Sequence, residues 1–98
     1  MAAPAWLPPT VTAPPADLLV LRGEAAAFTV SVAGSPVVGV QWQVSTDGGK
    51  TFTDVRGAAR PRLALNRVRL GQSGNAYRAV LTSPFGRVVT PAAVLFVF

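Results

Sequence analysis

Apolar and polar residues alternate along three separate runs of this chain, and this alternation is the strongest constraint on its fold. The apolar positions of the three runs are Ala26, Phe28, Val30 and Val32; Val40, Trp42 and Val44; and Tyr77, Ala79 and Leu81. A period of two residues puts successive side chains on opposite faces, so each run predicts a half-buried strand. Turn signals rich in glycine, proline and serine separate the runs. The pattern predicts an all-β chain, an antiparallel two-sheet sandwich of about seven to eight strands.

The domain organisation follows from length and from the placement of proline. The chain has 98 residues, which is the common size of one domain. Prolines crowd the first fifteen residues, a composition typical of an extended linker. We predict that residues 1–16 form a Pro-rich lead-in or linker, with room for a first edge strand. Residues 17–98 then form the sandwich.

Composition removes most catalytic chemistry. The chain has no cysteine and no histidine, so disulfides, thiolate metal sites and the usual nucleophilic triads are excluded. Asp47 and Asp54 are near neighbours in the sequence, and both fall where solvated turn roles are the norm. We expect no enzymatic activity, no cofactor and no metal. Arginines interrupt every apolar run before it reaches the ~20 residues of a membrane helix, so we expect no membrane insertion.

The segment "STDGGKTF" (Ser45–Phe52) predicts a tight hairpin between two strands. Glycines accept positive φ, and an aspartate side chain hydrogen-bonds amides of its own turn. We expect Ser45 and Thr51 to pin the hairpin ends and Phe52 to pack on the core. The spacing also resembles the Asp-box of sialidase propellers. A propeller needs at least about four blades, and the chain has room for about two, so the hairpin is assigned to a sandwich.

Four segments together resemble an immunoglobulin-like (Ig-like) domain, in particular the Ig-like repeats of bacterial secreted and surface proteins. They are "RGEAAAFTVSVAG" (Arg22–Gly34), "VQWQVS" (Val40–Ser45), "GNAYRAVLTSPFG" (Gly74–Gly86) and "VVTPAAVLFV" (Val88–Val97). The resemblance covers Leu18 to Val97. It implies that Trp42 is the core tryptophan and Tyr77 the tyrosine-corner residue. Val30 and Ala79 stand where the family often carries its inter-sheet cysteines.

The resemblance and the alternation together define an expected core. Its residues are Phe28, Val30, Trp42, Leu65, Tyr77 and Ala79. The resemblance also implies a non-catalytic module that serves as a spacer, scaffold or adhesion domain of a bacterial surface or secreted protein. Its location would then be extracellular or at the cell surface. Its partners would be neighbouring domains of a larger protein or another protein.

The end of the chain carries an apolar stripe. Alternation buries Leu95 and Val97, and it turns outward the residues Val80, Val94, Phe96 and Phe98. Outward apolar residues predict a protein interface, with a neighbouring repeat or a second copy of the chain as the partner. Two alternatives stay open: a register shifted by one residue, or coverage by the N-terminal segment around Trp6 and Leu7.

Charge is distributed unevenly. The net charge is +5, all four acids precede Val55, and every charged residue after it is an arginine. A polyanion patch is predicted at Arg60, Arg62, Arg67 and Arg69. The alternative is an ordinary solvated surface. No aromatic residues interleave these arginines, so specific nucleic-acid recognition is not expected.

Two other functions therefore stand beside the spacer hypothesis. One is a recognition module that binds acidic glycans or other polyanions weakly through its arginines. The other is a self-associating homo-oligomer, including a phage or virion decoration domain, because Ig-like domains are also used there.

Overall fold

The computed structural model describes residues 8–34, 36–37 and 39–98. Within these residues the chain forms ten strands and one short 3-10 helix, Leu70–Gln72. The strands are β1 (Thr10–Ala13), β2 (Leu18–Val20), β3 (Ala26–Thr29), β4 (Ser31–Ala33), β5 (Gly39–Ser45), β6 (Thr53–Asp54), β7 (Arg62–Leu65), β8 (Ala76–Ser83), β9 (Gly86–Val89) and β10 (Ala93–Val97). Across the same residues, no helix has the length and apolar character needed to span a membrane.

The strands form two layers. In one layer β1 pairs with β4 and β3 pairs with β7. In the other the order is β2-β10-β8-β5-β6, with β9 also paired to β8. All of these pairs are antiparallel except β2 and β10, which run parallel at the sheet edge. The predicted two-sheet sandwich is confirmed, and the parallel edge pair is a feature that the alternation did not indicate.

Near the start of the chain, two consecutive prolines lie where the backbone passes from one layer to the other. β1 belongs to the first layer and β2 to the second, and Pro14 and Pro15 lie between them. Proline has no N–H to donate and therefore ends a ladder. Pro15 is buried. The later part of the segment expected as a lead-in therefore contains a paired strand and packs against the sandwich.

A second break separates β9 from β10. The N–H of Thr90 donates to the Ala79 carbonyl (2.9 Å), and the Thr90 hydroxyl accepts from the Ala79 N–H (2.9 Å). The buried hydroxyl thus takes the place of a backbone acceptor just before Pro91, which cannot donate. This local exchange keeps every group of Ala79 satisfied while the last strand shifts toward β2.

Aromatic rings fill the space between the layers. Trp42 is 0% exposed, and Phe28 lies between it and Tyr77 with ring centroids 6.4 and 5.0 Å away. The other expected core residues Val30 and Ala79 are also buried. Leu65 is half-buried, since it is the last residue of β7 and lies at the margin of the core. The fully inward position of that strand is Leu63.

Replacing Trp42 with alanine should destabilise the fold by about 3–5 kcal/mol, because it leaves a large cavity and removes a buried hydrogen bond from the indole to the Arg60 carbonyl. Denaturant unfolding followed by circular dichroism measures the loss. Phe85→Ala is the matched control: Phe85 is 44% exposed in a turn, and its truncation should cost far less. Equal losses in the two variants would contradict the assignment of Trp42 to the core.

Candidate functional site

The Asp-Gly-Gly hairpin joins β5 to β6 through a closed hydrogen-bond network. The buried Ser45 hydroxyl donates to Asp47 Oδ1 (2.7 Å) and accepts from the Gly49 N–H (2.8 Å). Gly48 and Gly49 adopt φ of 78° and 89°, values that side chains disfavour. The expected pinning of the hairpin by Ser45 and Thr51 is present in the structure.

The Asp47 carboxylate is the centre of this network. It accepts from the N–H groups of Lys50 (3.0 Å) and Thr51 (2.9 Å) and from the Thr51 hydroxyl. The pKa of Asp47 lies well below its usual range, first because of the Thr51 hydroxyl, then because of the Thr51 amide and the Ser45 hydroxyl. A carboxylate with these bonds serves the turn, and this makes it a poor base or metal ligand.

The side chain of Phe52 does not lie where we expected it. We expected this ring on the core, but it lies half-buried on the outer face, with the Arg78 guanidinium 3.8 Å above its centroid. Arg78 Nε also donates to Gln43 Oε1 (2.9 Å), and Gln43 Nε2 donates to Asp54 Oδ1 (3.0 Å). The ring lies over β8 because the Arg78 cation attracts the face of the ring. Asp54 is engaged by the same chain of contacts, through Gln43. Within the described residues, no group of three or more acids could hold a metal.

The low pKa of Asp47 makes a pH-dependent prediction. A depressed folded-state pKa stabilises the fold above the unfolded value of about 3.9, and this contribution is lost progressively as the pH falls from there toward the folded-state pKa. Wild type should therefore be more stable than Asp47→Asn at pH 7, and the two should converge toward pH 2. Melting temperatures across this range measure the difference. Glu24→Gln, a change at an exposed acid, should not reproduce the convergence. A gap that stays constant with pH would contradict the role of Asp47.

The structure separates the four predicted arginines into two groups. Arg60 and Arg62 line a shallow cavity of ≈ 240 Å³ together with Arg56. Arg60 and Arg62 do not share one strand, because β7 begins at Arg62 and Arg60 lies in the bend before it. The bend is fixed by Trp42, whose indole N–H donates to the Arg60 carbonyl (2.7 Å).

The second group lines an open depression of ≈ 500 Å³. Arg67 and Arg69 contribute to it together with Arg22, which the sequence reasoning missed. Arg22 is distant in the chain, but the Gly23 N–H donates to the Val68 carbonyl (2.7 Å) and brings the two turns together. No local signal could have found this contact, because it depends on pairing between remote turns. Arg56 was also missed, although its position in the same turn as Arg60 is visible in the sequence.

The residues of the predicted apolar stripe also do not form one continuous surface. Val80 is half-buried and lies opposite Val89, whereas Val94 lies opposite Ala76, at the other end of β8. Phe96 and Phe98 are 39% and 59% exposed, and Leu95 and Val97 are buried.

The alternation therefore holds in β10 without a shift by one residue. Phe96 lies beside Leu19 of β2, a residue that the sequence reasoning missed because "LLVL" (Leu18–Leu21) does not alternate. Trp6 and Leu7 lie outside the described residues.

Several solved structures have an architecture similar to that of this chain. A chimeric titin Z1Z2 protein carrying a decorin peptide aligns with 27% identity and a TM-score of 0.69, over 92% of this chain and 93% of that one. Titin z1z2 in complex with telethonin aligns with 28% identity and a TM-score of 0.67, over 92% and 47%. The tandem Ig repeats of Dlar align with 20% identity and a TM-score of 0.73, over 97% and 50%. No protein-family model and no curated sequence matches the chain. The fold is therefore immunoglobulin-like.

Proposed function

We propose that this chain is a non-catalytic Ig-like module that serves as a spacer, scaffold or adhesion domain of a bacterial surface or secreted protein. The observation that carries the proposal is the position of the two ends of the described chain. Pro8 lies beside Gly86, where β8 turns into β9. Phe98 lies at the other end of the sandwich, where its carbonyl accepts from the Arg22 N–H (2.8 Å).

This layout suits a module in a linear array. The molecule measures 47 × 24 × 20 Å, and a chain that passes through it enters and leaves at opposite ends. Successive domains would then extend the array instead of folding back. The similarity to tandem Ig repeats of Dlar and to titin z1z2, which appears in complex with telethonin, supports both spacing and protein binding as roles.

The site chemistry supports a role other than catalysis. The neighbouring acids Asp47 and Asp54 are engaged elsewhere, Asp47 by amides and hydroxyls of its turn and Asp54 by Gln43. The surface also carries arginine groups and exposed apolar side chains, and such groups bind partners.

A head-to-tail fusion of two copies tests the spacer role. Small-angle X-ray scattering should give a maximum dimension close to twice the 47 Å long axis of one copy. The single chain is the reference. The measurement is made at low concentration, so that contacts between fusion molecules do not contribute. A compact fusion with the two copies side by side would contradict the proposal.

A second candidate function is weak binding of acidic glycans or other polyanions. It is favoured by the Arg56, Arg60 and Arg62 side chains around one cavity, since guanidiniums pair with sulfate and carboxylate groups. Such binding would add a ligand to the module and leave its spacer role intact.

Heparin chromatography distinguishes the two arginine groups. Retention should fall steeply between about 50 and 200 mM salt, and Arg60→Ala/Arg62→Ala should elute earlier than wild type. Arg67→Ala/Arg69→Ala removes the same charge from the other depression and is the matched control. Retention that is unaffected by Arg60→Ala/Arg62→Ala would rule out this cavity, and equal loss in both double variants would indicate only the overall charge.

A further inference from the structure

Strand β2 leaves one side of its backbone open. The Phe98 N–H donates to the Val20 carbonyl (3.0 Å), and the Arg22 N–H donates to the Phe98 carbonyl (2.8 Å). Backbone groups of successive residues point to opposite sides of a strand, so the N–H and C=O of Leu19 point away from β10. Within the part of the chain that the structure describes, no strand pairs with this side of β2.

The same edge carries an apolar surface. Leu19 and Leu21 are 70% and 58% exposed, and Phe96 and Phe98 are 39% and 59% exposed. Leu19 lies beside Phe96 in the parallel register, and the alternating Leu95 and Val97 point into the core. These four exposed side chains, which we call the edge patch, therefore share the outer face of the sheet. A contiguous apolar surface of this kind is typical of a protein contact.

The edge strand β2 is short, at three residues, but it carries no residue that blocks pairing. Natural edge strands carry charges, prolines or bulges that block association, but Leu18–Leu21 contains neither a charge nor a proline. Its flanking residues have opposite charge, Asp17 at the start and Arg22 at the end. An antiparallel partner strand of the same sequence, paired about Leu19, would place Asp17 of each copy opposite Leu21 of the other and next to Arg22, whereas a parallel partner would oppose like charges.

We propose that two copies of this chain pair antiparallel through β2, about a two-fold axis at Leu19. The axis is perpendicular to the sheet, because only this symmetry reverses the strand and keeps the outer faces on one side. The free backbone groups of Leu19 would bond to those of its counterpart, and the two edge patches would join into one buried surface. The arginines Arg22, Arg67 and Arg69 line one depression, so the end of β2 that faces Asp17 of the other copy is cationic.

This interaction goes beyond the spacer role, because it links copies laterally whereas the array grows end to end. It also differs from the earlier expectation for the apolar stripe. Phe96 and Phe98 take part, joined by Leu19 and Leu21, and Val80 lies away from the contact.

Sedimentation velocity over a concentration series tests the association. The sedimentation coefficient of wild type should rise with concentration, and Leu19→Lys should raise the dimer Kd by at least about tenfold, because it places a charge on the axis. Val89→Lys is the matched control: Val89 is 44% exposed on β9 of the same sheet but distant from β2. Circular dichroism and melting curves establish that both variants fold. A wild type that stays monomeric, or equal effects of the two lysines, would overturn the proposal.

Cross-linking tests the geometry. The chain has no cysteine, so one introduced cysteine reports one contact. Directly opposed residues of a hydrogen-bonded antiparallel pair have Cα atoms about 5.5 Å apart, which fits a disulfide. Leu19→Cys should therefore oxidise to a covalent dimer much faster than Val89→Cys at the same concentration. Equal rates for the two variants would refute the two-fold at Leu19.

Discussion

The indole of Trp42 is the interaction on which the rest of the structure depends. Its ring has no exposed surface and lies against Phe28 between the layers. The backbone N–H of Trp42 donates to the Ala58 carbonyl, and its backbone carbonyl accepts from the Val55 N–H. The indole N–H donates to the Arg60 carbonyl. One core residue thus fixes the turn that carries the first arginine group, because a buried donor without a partner would cost stability. The core therefore determines the shape of a surface.

Proline has a comparable effect on the other surface. The Pro14–Pro15 step carries the chain between layers, and the Thr90–Pro91 step shifts the last strand toward β2. Together they produce the parallel edge pair and expose its apolar outer face. At the opposite edge of the same sheet, formed by β5 and β6, lie the polar hairpin at Asp47 and the contact between Arg78 and Phe52. The sheet is therefore polar at one edge and apolar at the other, an asymmetry suited to a single lateral partner.

Sequence patterns were most informative where the interactions are local. The alternation around Trp42 and Leu95 indicates which side chains face inward, and the chemistry of Asp47 indicates the turn. The patterns were less informative at ends and edges. Leu65 is less buried than expected because its strand ends there, and Phe52 turned outward to a cation on a neighbouring strand. Arg22 joined Arg67 through a contact between turns that are remote in sequence.

By itself the sequence determined the fold class, the hairpin and the inward faces of the main strands. Each follows from spacing along one segment and from the stereochemistry of its residues. Only the tertiary structure decided which surface residues lie together, such as Leu19 beside Phe96 and Arg22 beside Arg69. The reason is physical: exposed side chains gain little from any one arrangement, so their neighbours are set by how the buried layers pack, and that packing is a property of the whole chain.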